Sequence, residues 1–336
     1  YYFLTGNRLV LNKYGRQPDS PADMKGDRLY LLESDDLADW RYRGVFYQRN
    51  PAWTDDSEDN MCPSFLPLPV RADGGPPSGK HLLLFISHNK GCQYYVGQYD
   101  TQNDKFIPEN HGRMTWVDNT YFAPEALIDG KGRQIMWTWL TDNPGGEEAR
   151  GWSGVYGLPR SLWLGDDGTL RMAPVEELKM LRCGEKTWSD VALPDGGTKP
   201  LDGVVGDSCE LEIAVDPGAA GRCGVKVRTS PAGEESTLLY YDAAAKQLCF
   251  DSTHSGIDGR RTLEQAPFSL KDGERLRLRV FVDKSVVEVY ANDRQAICRR
   301  VYPGRPDSLD VALFAIGGDA RFASIKVWEM MPSNPY

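Results

Sequence analysis

The run Glu58-Asp59-Asn60-Met61-Cys62-Pro63-Ser64-Phe65 sets two carboxylates directly against an apolar, Cys-Pro-punctuated segment. Asp55 and Asp56 lie just upstream, and Phe65-Leu66-Pro67-Leu68 reads as a buried strand just downstream. A carboxylate at such a polar-to-buried boundary loses hydration, which raises its pKa and keeps it protonated near neutral pH. A general acid has that requirement. Taken alone, the run reads more readily as a solvated acidic loop capping a strand, so its chemistry has to be judged with its neighbours.

Three further segments combine polar groups with aromatics: Ser87 to Tyr95, Tyr121-Phe122-Ala123-Pro124-Glu125, and Gly151 to Val155 leading to Leu158-Pro159-Arg160. Pockets that hold sugars mix Asp, Glu, Asn, Gln and His with aromatic platforms, because a sugar offers hydroxyl edges and weakly polar C–H faces. The plainer reading makes Trp137, Trp139 and Trp152 core aromatics between sheets. His88 fits either a hydroxyl ligand or a hydrogen-bonded structural histidine. There is no Gly-rich phosphate loop, and neither GxSxG nor HExxH occurs. The four histidines are far apart in sequence. Carboxylate-driven glycoside hydrolysis is the chemistry that matches these residue types best.

The elements that must position these groups are strands. Short aromatic and aliphatic runs recur, such as His81–His88, Gln134–Leu140, Arg275–Asp283 and Val311–Ile316, with Asp-Gly and Asn-Asp turns between them. This is an all-β pattern. Helical periodicity is confined to Pro174–Arg182, where Pro174 suits a first-turn position and the acids come early. The texture changes there. Trp, Tyr, Asn and His with long loops such as Asp142–Gly151 precede it, and regular alternation follows. Leu276, Leu278, Val280 and Val282 share one face and Arg275, Arg277 and Arg279 the other, as in a two-layer sandwich. The expected division is 1–170, a linker with a short helix over 171–186, and 187–336.

Composition narrows the partners. A net charge of −9 over 336 residues argues against nucleic acid. No apolar run approaches the roughly 18 residues of a membrane span. The seven cysteines form no CxxC pair and no zinc spacing, so no metal or cofactor is expected. Tyr1–Gly6 is strand-like from its first residue, without Met, as in part of a longer chain.

In their order, these segments resemble family 32 glycoside hydrolases, the invertase, inulinase and levanase group of β-fructofuranosidases. Leu29-Tyr30-Leu31-Leu32-Glu33-Ser34-Asp35-Asp36-Leu37-Ala38-Asp39-Trp40 resembles that family's LYxSxDLxxW blade, and Glu58–Leu66 sits at its Glu-Cys-Pro-Asp motif. Gln93–Gly97, Tyr121–Glu125, Trp137–Leu140, Gly151–Arg160 and, further on, Phe281–Asn292 match more of its segments. The resemblance implies a five-bladed β-propeller, its first blade incomplete or missing here, followed by a β-sandwich. It also implies retaining, metal-free hydrolysis of sucrose or fructans by two carboxylates. A secreted or periplasmic setting suits such substrates. The family's Trp-Met-Asn-Asp-Pro-Asn-Gly nucleophile segment and its Arg-Asp-Pro segment have no counterpart; Arg16-Gln17-Pro18 follows the first strand and lacks the Asp. The nucleophile is therefore expected outside this chain, and an N-terminal fragment is expected to complete the propeller.

At the motif itself Met61 stands where the family has Glu, and Ser64 where it has Asp. The acid/base role passes in this reading to Glu58, with Asp59 as runner-up. Phe122 and Trp152 would wall the sugar subsite, and His88, Gln93 and Glu125 would bind hydroxyls, Glu125 being a second candidate acid. Glu288 would be structural, meeting one of Arg275, Arg277 or Arg279 across strands. The alternatives are a non-catalytic fructan-binding relative, suggested by Met61 and Ser64, and an arabinose- or xylose-cleaving propeller hydrolase.

Overall fold

The computed structural model describes residues 1–6, 27–55, 57–141, 151–256 and 259–334. Arg16–Pro18 and most of the Asp142–Gly151 loop lie outside the described residues. The chain divides into two compact units, the first holding Tyr1–Thr141 and Gly154–Ala173 and the second Asp142–Ser153 and Pro174–Tyr336.

Among the described residues the first unit holds three antiparallel sheets. One contains β1 (Tyr2–Thr5), β2 (Tyr30–Glu33) and β3 (Arg41–Val45). The next is a four-stranded meander of β4 (Met61–Arg71), β5 (Gly74–Ser87), β6 (Gly91–Asp100) and β7 (Lys105–Arg113). The third holds β8 (Tyr121–Ile128), β9 (Gln134–Leu140), β10 (Val155–Tyr156), β11 (Arg160–Leu164) and β12 (Leu170–Pro174). Sequential meanders of this kind are the blades of a propeller. Leu82 to Ser87 is buried on both faces, which explains why that run shows no alternation. Leu29, Leu31, Phe46, Tyr47, Leu83, Phe85, Tyr95 and Phe106 form one apolar core joining the first two sheets. Each such side chain contributes about 1.5–3 kcal/mol by leaving water.

Inside that core sits a polar knot. The Asp27 carboxyl is fully buried and accepts hydrogen bonds from the Tyr47 and Tyr95 hydroxyls, Thr54 Oγ1 and Asn60 Nδ2. Burial pushes its pKa above the ordinary 3.8, while the four donors pull the other way. The Asp27 amide also donates to the Glu58 carbonyl at 2.6 Å. Asn60 is thereby held at φ 44°, a left-handed backbone that Asn tolerates better than most residues. Gly6 runs so close beside it that a Cβ there would lie 2.0 Å from the Asn60 carbonyl oxygen.

Among the described residues the second unit holds two six-stranded antiparallel sheets, a β-sandwich. Within the expected linker 171–186, residues 171–174 belong to β12 and 182–186 to β13 (Arg182–Leu193). The expected helix over Pro174–Arg182 is a single 3-10 segment, Glu176–Leu181. Pairing of the flanking strands claims both ends, and what is left is too short for a stable α-helix. Strand β13 pairs with β24 (Ala320–Met330), and that sheet continues through β15 (Ser208–Asp216), β20 (Leu276–Asp283), β21 (Val286–Ala291) and β22 (Gln295–Arg300). The facing sheet contains β14 (Thr198–Pro200), β16 (Arg222–Thr229), β17 (Ser236–Asp242), β18 (Gln247–His254), β19 (Leu263–Pro267) and β23 (Asp310–Ile316). The alternation read in β20 holds: Leu276, Leu278, Val280 and Val282 are buried. Glu288 is fully buried. It lies opposite Phe281 and accepts from the Tyr290 hydroxyl at 2.6 Å, while Arg275 pairs with Asp216, Arg277 with Asp293 and Arg279 with Glu210.

Asp27→Ala strands four buried donors and releases Asn60. We expect it to lower stability by about 3 kcal/mol or more, and Asp27→Asn, which keeps the shape and one acceptor, by less. Urea unfolding followed by tryptophan fluorescence measures both; equal stability of wild type and Asp27→Ala would refute the role given to the knot.

Candidate active site

Two bulges shape the surface on which the candidate residues meet. In β4 the register shifts between Met61 and Ser64 around Cys62, at φ 50°. In β8 it shifts between Phe122 and Glu125 around Ala123, at φ 46°. Each inserts one residue, so Phe122 and Glu125, three apart, point to the same side and sit opposite Trp139 and Trp137. Non-glycine residues in this left-handed region are costly and collect at functional sites. The segment between β5 and β6 is a tight turn, Ser87 to Gly91, closed by a Lys90 N–H to Ser87 carbonyl bond of 2.9 Å.

Glu58 and Asp59 are neighbours with different surroundings. The Glu58 side chain is fully buried. Its Oε2 accepts from Ser87 Oγ and from Gln93 Nε2 at 2.8 Å, and its Oε1 from Lys90 Nζ at 2.7 Å and Arg113 Nη2 at 3.5 Å. Burial alone pushes this carboxyl up, but Lys90, Ser87 and Gln93 outweigh it and hold the pKa below the ordinary 4.5. Glu58 was expected to stay protonated through desolvation; the desolvation is present, but these donors compensate it and favour the charged form. Lys90 in turn is held above its usual range by Asp55 and Glu58 against the effect of its own burial.

Asp59 is 2% exposed and turns to His88. Its Oδ1 accepts the His88 backbone N–H at 3.0 Å, and its Oδ2 lies 2.5 Å from His88 Nδ1. The His88 ring remains 43% exposed and meets Phe122 edge-on at 5.5 Å, and Phe122 meets Trp139 at 6.0 Å. His88, Phe122 and Trp139 thus form one row of rings. Gly154 backs the row so closely that a Cβ there would fall 1.7 Å from Trp139 Nε1. Cys62 shares this neighbourhood: loss of hydration pushes its thiol up, and the charges of Glu125 and Asp59 add to that.

The expected ligands divide accordingly. The structure brings together His88, Phe122 and Asp59, with Glu125 exposed on the bulge beside them. Gln93 is not available to a sugar. It is fully buried, donating to Glu58 and accepting from His111 Nε2 at 2.9 Å. Burial and Arg113 push that imidazole down to about 4, so it serves as a neutral donor. Trp152 is grouped apart from Phe122. It falls with the second unit, where the Arg300 guanidinium lies 4.7 Å from its ring. Trp139, which was not among the expected site residues, stands next to Phe122 in the row. Its alternation with Trp137 in Gln134–Leu140 was the available signal, and the missing information was which strand it faces.

Residues 20–174 match the glycosyl hydrolases family 32 N-terminal domain, and residues 177–329 match the glycosyl hydrolases family 32 C terminal. The chain belongs to glycosyl hydrolase family 32. It is 30% identical over 325 residues to a sucrose-6-phosphate hydrolase of Zymomonas mobilis, covering 90% of this chain and 60% of that one. To a levanase of Bacillus subtilis it is 29% identical over 342 residues, covering 91% of this chain and 48% of that one. Fructan 1-exohydrolase IIa from Cichorium intybus superposes with a TM-score of 0.79 at 20% identity, over 91% of this chain and 67% of that chain. A β-fructofuranosidase from Aspergillus kawachii does so with a TM-score of 0.78 at 19% identity, over 100% and 72%. These superpositions show the shared fold, propeller followed by sandwich. The chain spans 48% and 60% of the length of these two curated relatives, the levanase and the sucrose-6-phosphate hydrolase.

Because the folded pKa of Glu58 lies below 4.5, its contribution to stability is present above that value and lost as pH falls through the folded one. Glu58→Gln is therefore expected to cost about 2–3 kcal/mol at neutral pH. The gap from wild type should shrink progressively in acid. Denaturant titrations of both proteins across that range check the sign; a gap that widens in acid would contradict it.

Proposed function

We propose that the protein hydrolyses β-fructofuranosyl linkages in sucrose or fructans with retention of configuration. The observation that carries this reading is the match to family 32 along nearly the whole chain, with a levanase, fructan exohydrolases and a sucrose-6-phosphate hydrolase among the relatives. The row His88–Phe122–Trp139 with Glu125 beside it supports the reading, because it offers C–H-binding faces next to hydroxyl ligands.

Retaining hydrolysis needs a carboxylate that attacks the anomeric carbon and a group that protonates the departing oxygen, then activates water. We assign the attacking carboxylate to no residue of this chain. For the proton donor, Glu58 is the carboxylate that the motif's position points to, with Asp59 next to it. Glu58 could act only by leaving Lys90, Ser87 and Gln93, whose bonds favour its charged form.

The full-length protein is expected to release fructose from sucrose, inulin or levan, with the first-formed product in the β-configuration by NMR. Release of arabinose or xylose instead, or binding of fructan without any release, would overturn the proposal.

A further inference from the structure

We propose that His88, oriented by Asp59, delivers the proton to the departing glycosidic oxygen. This rests on the hydrolase reading above and assigns its proton donor. The position beside Cys62 holds Met61, whose thioether has no proton to give. Glu58 is fully buried with both carboxylate oxygens engaged. Glu125 is exposed, and among the described residues no hydrogen bond or ion pair holds it in one place. His88 has what these lack.

Its ring is gripped on one side only. Asp59, a buried carboxylate, can only accept at Nδ1 in its ionised form, so Nδ1 carries a hydrogen and Nε2 is the nitrogen that exchanges protons. Among the described residues Nε2 makes no hydrogen bond. Asp59 also holds the His88 backbone N–H at 3.0 Å, and Asn119 Nδ2 holds its carbonyl at 2.6 Å, so backbone and ring are both fixed. Phe122 packs edge-on against the ring and carries on to Trp139, so the proton is presented at the end of an aromatic platform where a sugar ring would lie.

As the bond between the anomeric carbon and the glycosidic oxygen breaks, its electron pair goes to the oxygen, which takes the proton from Nε2 and leaves as an alcohol. A carboxylate attacks the anomeric carbon meanwhile. In the second half neutral Nε2 takes a proton from water as that water displaces the carboxylate, and the imidazolium is restored. Asp59 is a positioning residue in this scheme: it acts through His88.

A readout specific to proton donation is the leaving group. Glucose leaves sucrose only with a proton, whereas para-nitrophenolate leaves without one. In the full-length protein, His88→Gln is expected to lower kcat/KM on sucrose by about 100-fold or more, and on para-nitrophenyl β-fructofuranoside by less than about tenfold. Asp59→Asn should show the same selectivity with a smaller loss. An equal loss on both substrates, or none, overturns the proposal, as does Glu58→Gln showing the selective loss in place of His88→Gln. If His88→Gln does not fold, Asp59→Asn on the same two substrates decides. A wild type inactive on both substrates removes the hydrolase reading itself, and this proposal with it.

Discussion

The buried Asp27 carboxyl is the interaction on which the geometry of the first unit turns. Two tyrosine hydroxyls, a threonine hydroxyl and an asparagine amide converge on it from three separate stretches of chain. A buried acid is costly unless its lone pairs are used, and here the donors that use them are the ones that fix the turn. Asn60 is one of those donors, so its left-handed backbone follows from the knot rather than from local preference. The direction in which Glu58, Asp59 and Cys62 leave the chain follows in turn from Asn60. Gly6 completes the arrangement by allowing the backbone of the first strand to pass where a side chain would collide.

From that fixed turn, two adjacent carboxylates are sent to opposite environments. Glu58 goes inward, where a lysine, an arginine, a serine and a glutamine saturate it. Asp59 goes toward the β5–β6 turn, where its one prominent partner is a half-exposed histidine. The first carboxylate stabilises charge and geometry; the second orients a group that can exchange a proton. The difference lies in the number and charge of donors each meets, since both are buried alike.

The second unit shows the same economy in a structural role. Glu210 is fully buried between Arg182 and Arg279, and Arg182 also stacks on Trp328 at 3.8 Å. A buried carboxylate shared by two guanidiniums tolerates burial because its charge and its lone pairs are both met. Such a network fixes strand register across β13, β15 and β20 without exposing a reactive group. This network therefore contributes order and stability to the sandwich.

Much was legible in the residues themselves. Period-two alternation and turn residues determined the all-β class, and the ordered segments from Leu29–Trp40 to Phe281–Asn292 determined the family. His88, Phe122 and Asp59 could be named as candidates because their types suit sugars and proton transfer. What partner each would meet was not legible. Gln93 looks like a hydroxyl ligand until it is found bridging Glu58 and His111. A bulge moves Glu125 to the side of Phe122 by one inserted residue, which no alternation pattern announces. Sequence determines what a side chain is able to do. Burial and the donors brought from distant strands decide which charge state it keeps and whether it faces a neighbour or the solvent, and those are properties of tertiary contact alone.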